Sequence, residues 1–418
     1  MRYIADLHIH SHFSMATSSQ LNIPNIDLWA RKKGISIAGT GDAVHPGWMN
    51  ELKRDLVSAG NGLYKIRTEK SDPRSKVWDG EVYFMLTAEI SCIYKVQGAV
   101  RKVHNIIAAP SFASMEKIQR KLGALGNIIS DGRPILGLDS RDLLDITLEG
   151  GEGSFLFPAH IWTPWFSVLG SKSGFDTIEQ CYRDLSDYVF AAETGLSSDP
   201  EMNRKCSFLD KYALVSNSDA HSPENLGREA TIFDFDAEVS FDSIVKALKG
   251  DDPKGLWGTI EYFPQEGKYY LDGHRACGVC WEPKETKAHG GICPVCGKKV
   301  TVGVLNRICA LCELRGEESK SGTFSMERPF HSLTGLKNII SEITGTKETS
   351  KKVSLRYENL LSELGSELSI LLDIPVNKIY DVDKDVSKSI QRLRNRQVYV
   401  RGGYDGVYGT VRVGSCCQ

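Results

Sequence analysis

The chain has 418 residues, of which 41% are hydrophobic and 25% charged, and 51 Lys and Arg stand against 53 Asp and Glu for a formal net charge of −2. That length predicts two or three domains and that composition a packed globular core, which excludes wholesale disorder and collagen-like order. No apolar run approaches the roughly 18–20 residues that span a bilayer, Asp6 and His8 interrupt the stretch where a signal peptide would be apolar, and near-neutral charge leaves any nucleic-acid partner to a local basic patch; the expected compartment is the cytosol.

Short β-branched and aromatic runs predict strands near 2–8, 35–41, 82–90, 103–109, 154–160, 188–194, 213–219 and 229–234. Helical spacing fits between several of them, over 24–33 and 241–248 for example. Run after run ends in a potential metal ligand: His8 and His10, Asp42, Glu89, His160, Glu193, then Asp219 and His221, while His104 instead opens its run. Parallel barrel enzymes gather their chemistry at the C-terminal strand ends. The pattern therefore predicts an α/β fold, a closed or nearly closed (β/α) barrel with a metal site at its mouth.

A composition shift follows Tyr262, and residues 265–315 are rich in Gly, Cys and Lys, as a small metal-stapled module would be. Cys277-x-x-Cys280 and Cys293-x-x-Cys296 stand twelve residues apart, with Gly278, Pro294 and Gly297 for tight turns. In a reducing compartment such spacing reads as one structural zinc in a four-thiolate ribbon before it reads as disulfides. Cys309 and Cys312 share helical spacing with Val304, Ile308 and Leu311, so they are expected to be ordinary small side chains of a helix.

Beyond residue 329 the chain turns helical. Thr334 is the expected N-cap of LKNIISEITG, and one longer helix carrying Leu360, Leu361, Leu364, Leu368, Leu371 and Leu372 is expected to end at Pro375. The tail QVYVRGGYDGVYGTVRV reads as two short strands about a glycine-rich turn. The expected domains are 1–262, a metallo-phosphoesterase barrel; 263–328, a zinc module; and 329–418, a helical region with a terminal hairpin.

His8 and His10 are two apart on a strand, so both imidazoles project from one face and can hold one ion. With Asp42, Glu89, His104, His160, Asp219 and His221, the donors are nitrogen and oxygen without thiolate, which suits zinc, manganese or iron(II), and Glu89 can bridge two ions. Two or three ions about 3.5–4 Å apart clamp a phosphoester and generate hydroxide near neutral pH. Phosphate-ester hydrolysis is the expected chemistry.

DLHIH, TGD, AEIS, VHNIIAAP, PAHIWTPW and SNSDAHSP resemble the successive motifs of the PHP (polymerase and histidinol phosphatase) superfamily. The resemblance implies a distorted seven-stranded (β/α) barrel with two or three divalent metals, zinc with magnesium or manganese as alternatives. It implies that His8, His10, Glu89 and Asp219 hold the first ion, that Glu89, His104 and His160 hold the second, and that Asp42 and His221 contribute to a third. Many members carry histidines where this chain has Asp42 and the Ser and Thr of SMATSSQ, which leaves the third ion open.

Residues 388–412 carry Lys388, Arg392, Arg394, Arg396, Arg401 and Arg412 against Asp405 alone, interleaved with Tyr399, Tyr404 and Tyr408. Cations for phosphates and aromatic faces for bases make a surface for bent or single-stranded nucleic acid, the plainer alternative being a solvated helix and hairpin. The motifs CGVC…CPVC, TVGVLNRI, RPFHSL, GSELSILLDIP and GGYDGVYG resemble the endonuclease Q family of DNA-repair nucleases. That resemblance implies incision 5′ to uracil, hypoxanthine, xanthine or an abasic site, leaving 3′-hydroxyl and 5′-phosphate ends, with the damaged nucleotide rotated out of the duplex. DNA is then the partner, a sliding clamp a further candidate, and the nucleoid the location. Trp162, Trp165 and Phe166 after His160 are candidates to line the pocket or wedge the stack, with barrel packing an equal alternative; Arg394, Arg396, Arg401 and Tyr404 complete the expected DNA-contacting set. A histidinol-phosphate-like phosphatase and a nucleic-acid binding module on an inactive barrel are the competing readings.

Overall fold

The computed structural model describes residues 1–78, 80–96, 98–315, 324 and 328–414. Its first strands are β1 (Arg2–Asp6), β2 (Ile37–Gly39), β3 (Leu56–Ser58), β4 (Tyr64–Ile66), β5 (Tyr83–Val96), β6 (Ala99–Ala109), β7 (Ile135–Leu136) and β8 (Phe155–Pro158). Then come β9 (Ala191–Glu193), β10 (Ala213–Val215), β11 (Ala230–Asp234) and β12 (Leu256–Tyr262). Five short strands complete the chain: β13 (Asp272–His274), β14 (Val279–Trp281), β15 (Phe330–Leu333), β16 (Tyr399–Arg401) and β17 (Thr410–Arg412). The main sheet runs β15-β12-β11-β1-β2-β5-β4-β3, with β6 and β7 also on β5 and β8 on β6.

Each strand expected before residue 240 has a counterpart, but the pairing is not all parallel. β5 and β6 form a long antiparallel hairpin, β6 runs antiparallel to β8, and β1 runs antiparallel to β11. The reversed direction of β6 explains why His104 precedes an apolar run: it lies opposite Ser91, two positions beyond Glu89 on β5. β9 and β10 pair in parallel as a sheet of their own. Isolated hydrogen bonds rather than a ladder tie that pair to its neighbours, Ile161 N to Glu193 O and the reciprocal bonds between Ser216 and Thr231 Oγ1 among them. Among the described residues the strands therefore form a mixed sheet with a separate pair rather than one continuous seven-stranded ladder.

Local chemistry sets the helices. Asn22 accepts from Asn25 N to start Ile23–Lys33, and Gly34 stops it in the left-handed region at φ 89°. Ser240 and Ser243 form a capping box for Phe241–Lys249. Two expectations fail in the C-terminal region. Gly335, not Thr334, is the N-cap of Leu336–Thr344, and the first turn is satisfied from elsewhere: Leu336 N donates to Glu367 Oε1 at 3.0 Å. The leucine-rich helix is broken into Lys351–Leu364 and Glu367–Leu372, because Gly365 adopts φ 100° between them. Pro375 then opens Val376–Val382.

β15 adds to β12 in parallel, Phe330 opposite Thr259, so the chain beyond the cysteine-rich segment returns to the main sheet. One apolar core accordingly runs from Ile9, Phe84, Ile107 and Leu156 through Ile260 to Leu336, Ile339, Tyr357, Leu360 and Ile390. Burying such side chains contributes about 1.5–3 kcal/mol each, enough to fix the C-terminal helices against the main sheet and its helices. Among the described residues no helix is long and apolar enough to cross a membrane.

Candidate active site

The segments after β1 and β10 bring His8, His10 and Asp219 to Glu89 in the middle of β5, one ligand atom from each within 4.8 Å of the others, and Glu89, His104 and His160 meet in a second such group. Glu89 belongs to both and divides its oxygens between them. Oε2 lies 3.6 Å from His8 Nε2 and 3.3 Å from His10 Nε2, while Oε1 lies 2.5 Å from His104 Nδ1 and 3.4 Å from His160 Nε2. Asp219 Oδ1 closes the first group, 3.0 Å from His10 Nε2 and 3.5 Å from His8 Nε2.

The donor set fits divalent cations on grounds internal to the structure. His8 Nε2, His104 Nδ1 and Glu89 Oε1 are buried and make no hydrogen bond. Leaving such groups unpaired costs about 1–3 kcal/mol each, and their convergence on two points with Glu89 between is the geometry of a bridged two-ion site. Burial opposes charge throughout, and at His8 and Glu89 neighbours outweigh it: Glu193, Glu89 and Asp219 raise the proton affinity of His8, and His104 and His8 hold Glu89 well below the usual carboxylate range, whereas at His104 burial prevails and lowers the proton affinity.

A second layer aims these ligands. Glu193 Oε1 and Oε2 lie 3.1 and 3.0 Å from His8 Nδ1, and Glu193 also accepts from His160 N at 2.7 Å and Asn217 Nδ2 at 2.8 Å. Asp42 Oδ1 lies 3.2 Å from His10 Nδ1, and its Oδ2 accepts from Ser11 N, Ser11 Oγ and Ser14 Oγ at 2.6–2.8 Å. Each carboxylate fixes its imidazole so that Nε2 faces the centre. Asp42 and His221, the residues expected at a third ion, stand outside these two groups. Asp42 meets the outer nitrogen of His10 and two serines, and His221 packs its ring 4.7 Å from that of His10, with Nδ1 2.9 Å from Asp219 O and 3.5 Å from Asp219 Oδ1.

Backbone strain is concentrated at these positions. Asp42, His160 and Asp219 have φ of 49°, 30° and 48°, a region non-glycine residues rarely occupy unless the surroundings impose it. Two glycines make the close approaches: a Cβ at Gly41 would stand 2.2 Å from Ile9 O, and one at Gly195 2.4 Å from His160 Cβ.

A cavity of about 330 Å³ opens beside His160 and Asp219, lined also by Thr163, Arg228, Tyr262, Glu266, Lys268, Tyr269 and Tyr408. Sequence reasoning missed most of this wall and also Arg133, whose Nη1 lies 3.3 Å from Glu89 Oε2. Arg228 is clipped to the turn that carries Asp219 through Ser218 O at 2.8 Å. None of these residues lies in a periodic run; the cluster KYY at 268–270 was the available signal.

Several expected DNA contacts have other duties. Trp162 is buried and donates Nε1 to Asn203 Oδ1 at 2.7 Å, a packed position that accords with the packing alternative. Trp165 is 38% exposed and meets Tyr269 edge-on, and Phe166 lies 4.8 Å from the His104 ring. Arg394 donates to Leu371 O and Ile370 O at 2.8 Å, capping the helix Glu367–Leu372 rather than facing solvent. Arg396 lies over Phe330 and Arg401 is exposed on β16, whereas Tyr404 forms a β-bridge with Leu271.

The cysteine-rich segment brings together His274, Cys277, Cys293 and Cys296. Cys280, expected as the fourth thiolate, lies exposed on β14 opposite Gly273 and outside this group, which takes in His274. Burial works against ionisation of Cys293, yet the N–H groups of Cys296 and Val295 hold its thiol down to about 7, which favours the thiolate a metal requires. Cys309 and Cys312 occupy the helix Val304–Arg315 as expected, but Cys312 is not a passive side chain, for it forms a disulfide with Cys206.

Two family models match the sequence, PHP-associated over residues 206–252 and MJ0043 C-terminal domain over 335–397. The chain is 30% identical over 256 residues to the uncharacterized protein MJ0043 of Methanocaldococcus jannaschii, an alignment that covers 60% of this chain and 31% of that relative. The chain thus spans about a third of that relative's length. It is 25% identical to the uncharacterized protein YqxK of Bacillus subtilis over 98% of both chains. The crystal structure of the lesion-specific endonuclease PfuEndoQ from Pyrococcus furiosus is similar at TM-score 0.84 and 30% identity, covering 99% of this chain and 95% of that one. The chain belongs to the endonuclease Q family. A further endonuclease Q structure, in complex with a 27-mer duplex bearing an abasic lesion at the active site, matches at TM-score 0.84 and 30% identity, covering 99% and 97%.

Proposed function

We propose that the protein is a metal-dependent DNA endonuclease that cuts the phosphodiester on the 5′ side of a deaminated base or an abasic site. The observation that carries this reading is the pair of donor groups sharing Glu89 beside a cavity of about 330 Å³, room for one nucleotide, in a chain of the endonuclease Q family. His8, His10, Glu89 and Asp219 would hold one divalent ion and Glu89, His104 and His160 a second. When bound, such ions supply the positive charge that clamps a phosphoester and the activation of water for its hydrolysis.

The chain's own groups do the remainder. Glu193 and Asp42 keep His8 and His10 aimed, and Arg228 steadies the Asp219 turn. Arg133, beside Glu89, offers its guanidinium to a nonbridging phosphate oxygen. Tyr262, Tyr269 and Tyr408, with the Lys268 ammonium 4.6 Å over the Tyr408 ring, present flat faces and a cation to an extruded nucleotide. Deaminated bases and abasic sites are weakly held in the duplex and cost least to extrude. Zinc, manganese or iron(II) fits the nitrogen and oxygen donors, with magnesium the family's further candidate, and His274, Cys277, Cys293 and Cys296 would hold one structural zinc. In this reading residues 1–262 cut, 263–328 brace and 329–418 contact the duplex.

End-labelled duplexes carrying one uracil, hypoxanthine, xanthine, abasic site or mismatch, incubated with magnesium, manganese or zinc, test it. One incision 5′ to the lesion, present only with metal, is the expected result. Turnover of histidinol phosphate or p-nitrophenyl phosphate without nicking of any duplex would contradict it.

A further inference from the structure

A second and larger cavity, of about 510 Å³, lies beside β10, β12 and β15, with Arg396 in its wall. It is distinct from the metal centre along the same strand: Gly258 and Thr259 of β12 line it, whereas Tyr262 at the other end of β12 lines the metal-centre cavity. Four cations, Arg204, Lys205, Arg328 and Arg396, face it against one carboxylate, Glu201.

These charges are held in place with little compensation. Arg204 donates to Leu209 O at 2.8 Å and has Asp210 at 3.5 Å. Arg328 is pinned by the carbonyls of Leu256 and Pro253. Of the four, Arg204 alone has a carboxylate within ion-pair distance among the described residues, and Asp199 acts on Lys205 and Arg396 only through longer-range charge. Arg396 lies 5.1 Å over the Phe330 ring and reaches that position with a left-handed backbone, φ 55°. Burial pushes the proton affinity of both Arg204 and Arg328 down, the direction an anion would reverse.

Collecting like charges in a concave site is unfavourable by about 1 kcal/mol or more per close pair unless an anion joins them. Preset guanidinium groups match phosphate oxygens in pairs, and a guanidinium already stacked on a ring offers its second face to another flat group. The volume falls within the roughly 300–1,000 Å³ of small-ligand sites.

We propose that this cavity is a second, non-catalytic site that binds the phosphate of a nucleotide, with the base lying on Arg396. The nucleotide is either free or one unit of a DNA strand; the chemistry is shared and the probes separate the two. The site does not depend on whether the metal centre cuts DNA.

Lys205 and Arg396 are exposed, so Lys205→Glu and Arg396→Glu reverse charge without disturbing the core. Calorimetric titration of the metal-loaded full chain with dAMP, and separately with a 5′-phosphorylated single-stranded tetranucleotide, is compared among wild type and the two variants. Both variants are expected to weaken binding by about tenfold or more. A loss confined to dAMP identifies a free nucleotide, and a loss that includes the oligonucleotide identifies a strand. Undiminished binding of both probes in both variants, or binding of neither probe by the wild type, overturns the proposal.

Discussion

Glu193 grips the outer nitrogen of His8 from both of its oxygens, 3.1 and 3.0 Å away, and so turns Nε2 toward the centre. Outer carboxylates of this kind typically govern metal affinity by 10- to 100-fold. Glu193→Gln should therefore keep the fold while weakening manganese or zinc binding by about 10- to 100-fold, read by metal titration of the apoprotein. Equal affinity in variant and wild type would show that His8 is aimed by something else.

Glu266 in the wall of the metal-centre cavity gives a pH signature. Burial first, and then the charge of Glu348, push its carboxyl up to about 7 from an ordinary 4.5. The folded chain thus binds this proton more tightly than the unfolded chain, so the associated stability is full below pH 4.5 and fades as pH rises through about 7. Glu266→Gln should gain about 2 kcal/mol relative to wild type at pH 8, allowing for partial exposure. The gain should vanish near pH 4.5. Parallel stability curves from pH 4 to 8 would refute the assignment.

The disulfide between Cys206 and Cys312 closes 106 residues of chain, tying the loop after the short helix Pro200–Asn203 to the helix Val304–Arg315. Loop-closure entropy for that length is worth about 3–5 kcal/mol. Cys206→Ser should lower the melting temperature in oxidising buffer, and reductant should lower the wild type to the same value. Cys309→Ser should change neither. A wild-type melting temperature indifferent to reductant would show that the bond carries no stability.

The cysteine-rich segment separates two thiols that look equivalent in sequence. Cys293→Ser should abolish stoichiometric zinc and destabilise the segment, because Cys293 is buried within the converging group, whereas the exposed Cys280 should tolerate Ser with zinc retained. Zinc analysis of the two purified variants decides it; loss of zinc in Cys280→Ser and retention in Cys293→Ser would invert the ligand set.

What was legible in the sequence follows from periodicity. His8 and His10 share a face because strands repeat every two residues, and Glu89 and Asp219 stand at the ends of short apolar runs, so their meeting could be anticipated from strand ends alone. Asp42 could not be separated from a ligand, since only the fold shows its carboxylate turned to Ser11 and Ser14 behind His10. Whether Trp162 beside His160 lines, wedges or packs stayed open because its partner Asn203 is 41 residues away, and the pairing of Cys206 with Cys312 spans 106 residues. Arg133 belongs to a loop with no repeating pattern, and the antiparallel course of β6, which places His104, depends on the hairpin before it.

The most direct measurement is cleavage of an end-labelled duplex with a single uracil by wild type and Asp219→Ala, with duplex binding recorded alongside. The account predicts a cut 5′ to uracil by the wild type, a fall of about a thousandfold or more in the variant, and near-equal binding by both. Cleavage by Asp219→Ala at the wild-type rate would contradict it.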